Sequence, residues 1–312
     1  MQAVILAAGK GSRLHPLTLY RSKAMLPIAG KPMISRVMEM LKSAGLQEFI
    51  IVAHPDDRDL RSFFASSQNV KIVLQYERKG AAHALSYAAP FIKSDFVLSA
   101  CDNLVDPLEA ANFVQRFRAH SDRRMLGLLA LIRVPKEKMK SMAMVEWDGI
   151  NIRRIIEKPS PDATTSNLAS IPLYCFSRRF LDYLPRLKPS IRAEFELQDA
   201  MQLLIDETAG LQAEILTGRL TVTDANDLLD LNLRFLAQEQ PPPPASLPSG
   251  VRFISPFLLE PGAEIAPGSL IGPNALIESG SSIGKGAVIR NALILRGAAV
   301  PAGEIIENKV FS

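Results

Sequence analysis

The sequence is poor in the residues that stabilise secreted proteins. Among its 312 residues only Cys101 and Cys175 are cysteines, which excludes a framework of several disulfides. Residues 1–9 are apolar, but they lack the basic start of a secretory signal and reach glycine too early for one. We therefore expect the chain to work in the reducing cytoplasm.

Long apolar runs are also lacking. Stretches such as residues 128–132 are far too short to cross a bilayer, so we expect no membrane as a partner. Hydrophobic residues make up 47% of the chain and charged residues 22%, which excludes a disordered or fibrous protein.

The chain has no large excess of charge of either sign. Its formal net charge of +4 is compatible with small anionic ligands. One cluster of arginines is predicted to be the solvated end of a helix, and it consists of Arg116, Arg118, Arg123 and Arg124. Nucleic acid is therefore not expected as a partner.

Proline is concentrated at one place, and we expect the chain to divide there. Residues 238–250 include four consecutive prolines, which favour extended polyproline geometry and form a semi-rigid spacer. A chain of this length usually contains two domains. We predict a first domain over residues 1–237, a linker over 238–250 and a second domain over 251–312.

Strand-like and helix-like segments alternate before the linker. The predicted strands are residues 3–7, 49–53, 70–74 and 96–100, and the predicted helices include 56–64, 81–89 and one opened by Asp106 and Pro107. This alternation predicts a doubly wound, mostly parallel, Rossmann-like α/β sheet. Ligands bind at the carboxyl ends of strands in such sheets, so we expect chemistry just after Ala7, Leu74 and Ala100.

A six-residue period replaces this alternation after the linker. Aliphatic or aromatic residues recur at Phe253, Leu259, Ile265, Ile271, Ile277, Ile283, Ile289 and Leu295. Small residues follow four positions later at Ala263, Ser269, Ala275, Ser281, Ala287 and Ala299. This period predicts a short left-handed parallel β-helix of two to three coils, with the aliphatic side chains inside.

The end of the first strand carries a candidate phosphate loop. The residues Gly9 and Gly11, spaced by one, allow backbone N–H groups to approach phosphate oxygens, and Arg13 and Lys23 add positive charge. The spacing does not fit GxxxxGK[ST], because no Lys-Ser/Thr pair follows a second glycine at that distance. It does not fit GxGxxG either, because Leu14 stands where a third glycine is needed.

The segments LAAGKGSRLHPLT and SKAMLPIAGKPMI resemble the opening signature of the sugar-1-phosphate nucleotidyltransferases, and the resemblance extends to the linker. It implies an enzyme with the nucleotidyltransferase fold that binds a nucleoside triphosphate and a sugar 1-phosphate. It also implies roles for this segment: nucleotide binding by Leu6, Ala8, Gly9 and Gly11, and catalysis by Arg13 and Lys23.

A second candidate element follows the third predicted strand. The side-chain amide of Gln75 can pair with a pyrimidine edge, and Gly80 allows a base to lie against the backbone. The segment is similar to the family's Q-x4-G-[TL]-A pattern, which implies nucleotide binding by both residues and favours uracil or thymine. Ala81 departs from the pattern, and His83 is predicted to be a packed helix residue.

A third element ends the next strand. The sheet geometry brings Asp102 into the same crevice as the phosphate loop, and Mg²⁺ bridging phosphates needs only one or two protein carboxylates. Asp102 matches the family's metal ligand and is the third predicted catalytic residue, whereas Cys101 replaces a glycine and is predicted to be buried. Resemblance to the N-acetylglucosamine-1-phosphate uridylyltransferases implies Asn226 as the second metal ligand, with Asp224 as the alternative.

We expect Asp227 to cap a helix that covers residues 228–236. This prediction follows from its position directly before the apolar periodic residues of that segment.

A fourth element carries the predicted sugar-phosphate site. The stretch with Glu157, Lys158 and Asn167 resembles the family's EKP…SNxAxxGxY pattern, although Pro172 stands where the pattern has glycine. These three side chains are predicted to bind the sugar hydroxyls and the phosphate. Residues 192–199, which resemble R-G-E-x-E-[IL]-x-D, are predicted to support the site.

The predicted reaction is an in-line displacement at the α-phosphorus, with pyrophosphate as the leaving group and Mg²⁺ as the cofactor. One alternative is a non-catalytic regulatory or scaffold relative. A less favoured alternative adds acetyltransferase activity in the β-helix, which contains no histidine base. We favour homo-oligomerisation through the β-helix instead. The sugar, and the choice between uracil and thymine, stay open.

Overall fold

The computed structural model describes residues 1–120, 125–160 and 162–312. Arg123 and Arg124, two of the four arginines predicted to lie at a helix end, are outside these residues. Within the described part, no helix is both long and apolar enough to cross a membrane.

The described residues form two compact units. The first contains Met1–Lys10 and Val37–Leu220, and the second contains Gly11–Arg36 and Thr221–Ser312. The segment with Arg13 and Lys23 thus belongs to the same unit as the C-terminal repeats. The division at residues 238–250 stays a prediction.

Strands and α-helices alternate from the third to the seventh strand, and four strands then follow one another before the next α-helix. The strands are β1 (Gln2–Leu6), β2 (Pro27–Ile28), β3 (Lys31–Pro32), β4 (Phe49–Ala53), β5 (Val70–Leu74), β6 (Phe96–Ala100), β7 (Gly127–Arg133), β8 (Ala143–Trp147), β9 (Ile152–Glu157), β10 (Leu168–Phe176) and β11 (Leu211–Ile215). The α-helices are α1 (Met33–Ser43), α2 (Arg58–Phe63), α3 (Ala81–Ala88), α4 (Pro107–Ala119), α5 (Leu197–Thr208) and α6 (Ala225–Glu239).

The first unit is built on one sheet of nine strands. Seven of them follow the order β11-β7-β10-β6-β1-β4-β5, and β8 and β9 form a hairpin that joins at β10. The pairs β1–β4, β1–β6, β4–β5 and β7–β11 are parallel, whereas β10 runs antiparallel to both neighbours. The predicted mostly parallel α/β sheet is therefore confirmed.

Helix capping follows ordinary side-chain chemistry in this unit. Asp106 accepts hydrogen bonds from the backbone N–H groups of Leu108 and Glu109, and Pro107 occupies the first turn of α4, as predicted. Helix α2 begins later than predicted, because Asp57 rather than Asp56 is its cap.

Helix α6 fixes the signature segment inside the second unit. The side chain of Asn232 is fully buried; its Oδ1 accepts from Ala29 N at 2.8 Å and its Nδ2 donates to Pro27 O at 2.8 Å. Buried Arg36 donates to Ile28 O at 2.9 Å and pairs with Glu239. The turn between β2 and β3 is thus held by polar groups of α1 and α6.

Short parallel strands follow the proline-rich segment. They are β12 (Arg252–Phe253), β13 (Phe257–Leu259), β14 (Glu264–Ile265), β15 (Leu270–Ile271), β16 (Ala275–Ile277), β17 (Ser282–Ile283), β18 (Val288–Ile294), β19 (Ala299–Val300) and β20 (Ile305–Phe311). They stack in three columns, and partners lie 18 or 17 residues apart, as in Leu270–Val288 and Ala275–Ala292. Three hexads per coil confirm the predicted parallel β-helix.

The predicted hexad register is wrong after Ile289. The next inward aliphatic residues are Ile294, Val300 and Ile306, so Leu295 is one position out of register. The small inward residue is Ala298, whereas the predicted Ala299 is exposed.

A left-handed corner residue accounts for this shift. Asn291 has φ +44° and lies between the two halves of β18, where one side of the coil is a residue shorter. Its Oδ1 accepts a hydrogen bond from Asn274 Nδ2 at 2.9 Å, and Asn274 is itself left-handed at φ +58°. Asparagine tolerates this backbone conformation better than most residues.

Candidate active site

The carboxyl end of β1 is held by its neighbours in the sheet. Leu6 O accepts a hydrogen bond from Cys101 N at 3.1 Å, at the end of β6. Ala8 O accepts from Arg78 Nε at 2.8 Å. The structure therefore brings two predicted nucleotide-binding residues, Leu6 and Ala8, next to the segments that follow β5 and β6.

The glycines of the signature have different local environments. Gly11 has φ +63°, which favours glycine, and its carbonyl accepts from Thr18 Oγ1 at 2.8 Å and from Leu14 N at 2.9 Å. A Cβ at Gly11 would lie 3.5 Å from Lys23 Cβ, so these two predicted residues are neighbours. Gly9 has open space where its Cβ would be.

The predicted phosphate-binding cations are accessible. Arg13 is exposed on the short 3₁₀ helix Ser12–Leu14, and Lys23 is half-buried at the start of the 3₁₀ helix Lys23–Met25. Arg21 lies two residues before Lys23. Its Nη1 pairs with Glu278 Oε1 of the β-helix at 2.7 Å, and both side chains are nearly buried.

The predicted base-reading residue is already part of a polar contact. Gln75 is buried after β5, and its Nε2 lies 3.0 Å from His83 Nδ1. The His83 ring stacks on Phe195 at 6.0 Å between centroids and meets the edge of Tyr87 at 5.1 Å. As predicted, His83 is a packed residue of helix α3.

The conformation and packing of the backbone require a glycine at position 80. Its φ is +99°, and an added Cβ would lie 2.5 Å from Phe195 O. The Phe195 backbone is fixed there, because its N–H donates to Lys79 O at 2.7 Å and its carbonyl accepts from Ala82 N at 3.1 Å. The close approach of Phe195 therefore accounts for glycine at this position.

Asp102 lies beyond the end of β6, on the same edge of the sheet as Leu6. Its Oδ2 is 3.8 Å from Arg219 Nη2, and both side chains are mostly buried. The loop with Arg219 is fixed by two backbone hydrogen bonds between Leu104 and Leu220, of 3.0 and 2.7 Å. Cys101 is buried, as predicted.

The residues after β6 fit a hard divalent ion. Mg²⁺ takes oxygen ligands, and it usually combines one or two carboxylates with substrate phosphates and waters. Beside the Asp102 carboxylate, the amide of Asn103 is fully buried, and neither of its polar atoms has a hydrogen-bond partner among the described residues. No group of three or more His, Cys, Asp or Glu side chains in those residues could hold a metal ion.

The predicted cap of the last helix before the linker is wrong. Helix α6 begins at Ala225, and its N-cap is Asp224, whose Oδ1 accepts from Asp227 N at 2.9 Å. Asp227 reaches back and accepts from Thr223 N at 2.7 Å. These two hydrogen bonds satisfy two backbone donors, which stabilises the earlier start. Asn226 is exposed in the first turn.

Glu157 forms the centre of a charged group at the end of β9. Its Oε1 lies 3.2 Å from Lys158 Nζ and 3.6 Å from Arg192 Nη2. Arg192 also pairs with the buried carboxylate of Glu196 at 2.7 Å. Burial, with the Glu196 charge, raises the pKa of Asp199 on α5. The predicted sugar-phosphate residues Glu157 and Lys158 are thus together, supported by residues 192–199.

Asn167 has a different neighbour. Its Oδ1 accepts from Arg133 Nη1 at 3.5 Å, and its side chain is exposed.

Further along β10, the register with β7 shifts between Ser170 and Tyr174, and Pro172 lies in this irregular stretch. Proline is tolerated there because the ladder is already interrupted. Burial raises the pKa of Tyr174 to about 12, so its phenol stays neutral.

Three arginines contact predicted site residues, and only Arg192 was expected from the sequence to support the site. Arg78 binds Ala8 O, Arg192 pairs with Glu157, and Arg219 pairs with Asp102. Arg192 at least lies in a motif-like segment. Arg78 occupies one of the variable positions of the Q-x4-G pattern, and Arg219 lies outside the patterns described above, so only the three-dimensional contact identifies them.

Most of the chain is similar to known proteins. Residues 2–235 match the family described as Nucleotidyl transferase. The bifunctional protein GlmU of Methanococcus maripaludis is 31% identical over 206 residues, which are 66% of this chain and 47% of that protein. The UTP–glucose-1-phosphate uridylyltransferase AglF of Haloferax volcanii is 32% identical over 208 residues, which are 66% of this chain and 84% of that protein.

A solved structure supports the fold alone. UDP-glucose pyrophosphorylase complexed with UDP-glucose has a TM-score of 0.66 at 22% identity, covering 76% of this chain and 98% of that chain. The chain spans less than half the length of the GlmU protein that it matches. The family match nevertheless extends from β1 to helix α6. The chain belongs to the Nucleotidyl transferase family.

Proposed function

We propose that this chain transfers a nucleotidyl group from a nucleoside triphosphate, UTP or dTTP, to a sugar 1-phosphate and releases pyrophosphate. The observation that carries the proposal is the family match over residues 2–235 in a chain that keeps the cations Arg13 and Lys23 and the carboxylate Asp102. The name of the AglF relative adds UTP and glucose 1-phosphate as the first substrates to test.

The proposed chemistry needs no covalent protein intermediate. An oxygen of the sugar phosphate attacks the α-phosphorus, and the bond from that phosphorus to the bridging oxygen breaks in line. Pyrophosphate leaves with the electron pair. Catalysis then consists of positioning and of neutralising charge on the phosphoryl oxygens.

The chain's cations have separate roles in this scheme. The Arg13 guanidinium can donate two hydrogen bonds to the leaving pyrophosphate, and the Lys23 ammonium neutralises the α-phosphate. Lys158 holds the phosphate of the incoming sugar, next to Glu157 and Asn167, which bind sugar hydroxyls. Leu6, Ala8, Gly9 and Gly11 present backbone to the nucleotide.

We propose Mg²⁺ as the metal, held by Asp102 with Asn226 or, as the alternative, Asp224. If bound there, Mg²⁺ would neutralise negative charge on the substrate phosphates. The oxygen donors of Asp102 and the buried Asn103 amide support a hard cation at the end of β6.

Localisation, domain bounds and oligomeric state also belong to this proposal. We propose that the protein acts in the cytoplasm, with a catalytic domain over residues 1–237 and a homo-oligomer formed through residues 251–312. The aliphatic repeats support the oligomer, because coils of this kind commonly pack together. The regulatory or scaffold alternative is disfavoured by the retention of Arg13, Lys23, Asp102 and Lys158.

A matrix of nucleoside triphosphates against sugar 1-phosphates tests the proposal, with pyrophosphate release as the readout. We expect release to require Mg²⁺ and to be fastest with UTP or dTTP. A matrix in which no combination releases pyrophosphate in a metal-dependent way would contradict the assignment.

Two variants test the proposed roles within the site. Lys23→Ala and Asp102→Ala should each lose most turnover while keeping the circular dichroism spectrum of the wild type, because neither belongs to the hydrophobic core. Asp102→Ala should also lower the melting temperature, because it removes the carboxylate that pairs with the mostly buried Arg219. Lys285→Ala, on the β-helix, is a suitable control and should keep wild-type turnover. Near-wild-type pyrophosphate release from either site variant would contradict the proposed mechanism.

A further inference from the structure

We propose that His83 is a positioning residue that fixes the orientation of the Gln75 amide and so selects uracil or thymine over cytosine. The inference rests on the proposed function and on the predicted pairing of the Gln75 amide with the pyrimidine base of the nucleoside triphosphate. It adds a residue that does not itself touch the substrate but determines which base Gln75 can accept.

The first step concerns the direction of one hydrogen bond. The Gln75 amide nitrogen, Nε2, faces His83 Nδ1 at 3.0 Å. An amide nitrogen donates and does not accept, so Nδ1 is the acceptor in this hydrogen bond. The acceptor on His83 therefore holds the nitrogen end of the amide on its own side.

The second step concerns why the imidazole keeps its place. Its ring is packed between Phe195, stacked at an interplanar angle of 21°, and Tyr87, which meets it edge-on at 76°. Phe195 is fixed by its backbone hydrogen bonds to Lys79 and Ala82 across Gly80. The orientation of the Gln75 amide thus depends on a chain of contacts that extends to the residues 192–199.

The third step is the match between this orientation and a base. With its nitrogen turned to His83, the amide offers Oε1 as an acceptor and its second N–H as a donor. Uracil and thymine present an N3–H donor beside a carbonyl oxygen, which complements this pair. Cytosine presents N3 as an acceptor beside an amino group, so two acceptors would face each other. The reversed amide would instead suit cytosine.

Substitutions at residue 83 have room to be accommodated. One side of the imidazole borders a cavity of roughly 370 Å³, which is also lined by Ser86, Leu181 and Phe195. His83 is only half-buried. Longer side chains at this position can therefore be introduced without overfilling the core.

Two variants with opposite hydrogen-bonding capacity provide the test. Glutamate only accepts when ionised, so His83→Glu keeps the amide nitrogen of Gln75 on its side. Lysine only donates, so His83→Lys turns Oε1 towards residue 83. The measurement is the ratio of kcat/KM for UTP to that for CTP at fixed glucose 1-phosphate and Mg²⁺. CTP is also measured as a competitive inhibitor, so that the affinity for CTP can be compared with that for UTP even if CTP is not turned over.

We expect His83→Glu to keep the UTP preference of the wild type and His83→Lys to reduce it about tenfold or more, since tenfold corresponds to about 1.4 kcal/mol, the scale of one net hydrogen bond. Ser86→Lys is the matched control, because it adds the same charge one helical turn away on the same cavity, and it should keep the wild-type ratio. Added charge alone changes the affinity for both nucleotides and cancels in the ratio.

A Gln75→Leu variant separates the two proposals. If it leaves the UTP preference unchanged, Gln75 does not read the base, and both the proposed nucleotide contact and the role of His83 are overturned. If Gln75→Leu abolishes the preference while His83→Glu and His83→Lys give equal ratios, the nucleotide contact stands and the positioning role of His83 is refuted.

Discussion

Replacing Glu278 by alanine should destabilise the unit that contains the signature segment. The Glu278 side chain is 6% exposed and that of Arg21 is 10% exposed; Oε1 pairs with Arg21 Nη1 at 2.7 Å, and Oε2 accepts from Arg296 N at 2.8 Å. Removing one partner of a buried ion pair leaves the other charge buried and costs about 3–5 kcal/mol. A lost backbone hydrogen bond adds about 1 kcal/mol.

Urea unfolding, followed by circular dichroism, measures the predicted loss. Glu307→Ala is the matched control in the same β-helix, because Glu307 pairs with Arg290 at 2.8 Å while the two side chains are 35% and 47% exposed. An exposed pair contributes at most about 1 kcal/mol. Equal losses of unfolding free energy in the two variants would refute the reasoning, since burial would then make no difference.

Three further predictions concern single positions. Gly80→Ala should lower the free energy of unfolding by about 3 kcal/mol or more in urea titrations, because φ is +99° and the new Cβ would meet Phe195 O; a loss below 1 kcal/mol would contradict this. Ala193→Gly should stabilise the protein by up to about 1 kcal/mol, measured in the same way, because Ala193 has φ +57°; a decrease in stability would speak against strain there. Asn226→Ala should raise the Mg²⁺ concentration for half-maximal activity roughly tenfold or more, whereas Asp224→Asn, which preserves the helix cap, should not; the reverse order would make Asp224 the ligand.

The fold was largely predictable because its signals are local. The strands over residues 49–53, 70–74 and 96–100 were predicted with the bounds that the structure shows, since each is a short apolar run between turn residues. The six-residue period predicted the β-helix because it is also a local signal. The period does not reveal where one side of a coil loses a residue, so the register error after Ile289 became visible only from the corner at Asn291.

The candidate site was predictable only in part. Short motifs identified Arg13, Lys23, Asp102 and Glu157, because each motif lies in one continuous stretch of the sequence. Arg219 pairs with Asp102 across more than a hundred residues, and no local pattern signals such a contact. The start of helix α6 was misjudged because Asp224 and Asp227 are both suitable caps. The hydrogen bonds from Asp227 N to Asp224 and from Thr223 N to Asp227 decide between them.

The buried ion pair between Arg21 and Glu278 limits how this protein can be recombined with its relatives. A chimaera that exchanged the C-terminal solenoid for another one would leave the Arg21 guanidinium without its carboxylate unless the incoming coil supplied an acid at the equivalent corner. The solenoid and residues 11–36 should therefore be inherited together, as a matched set, even though more than two hundred residues separate them along the chain.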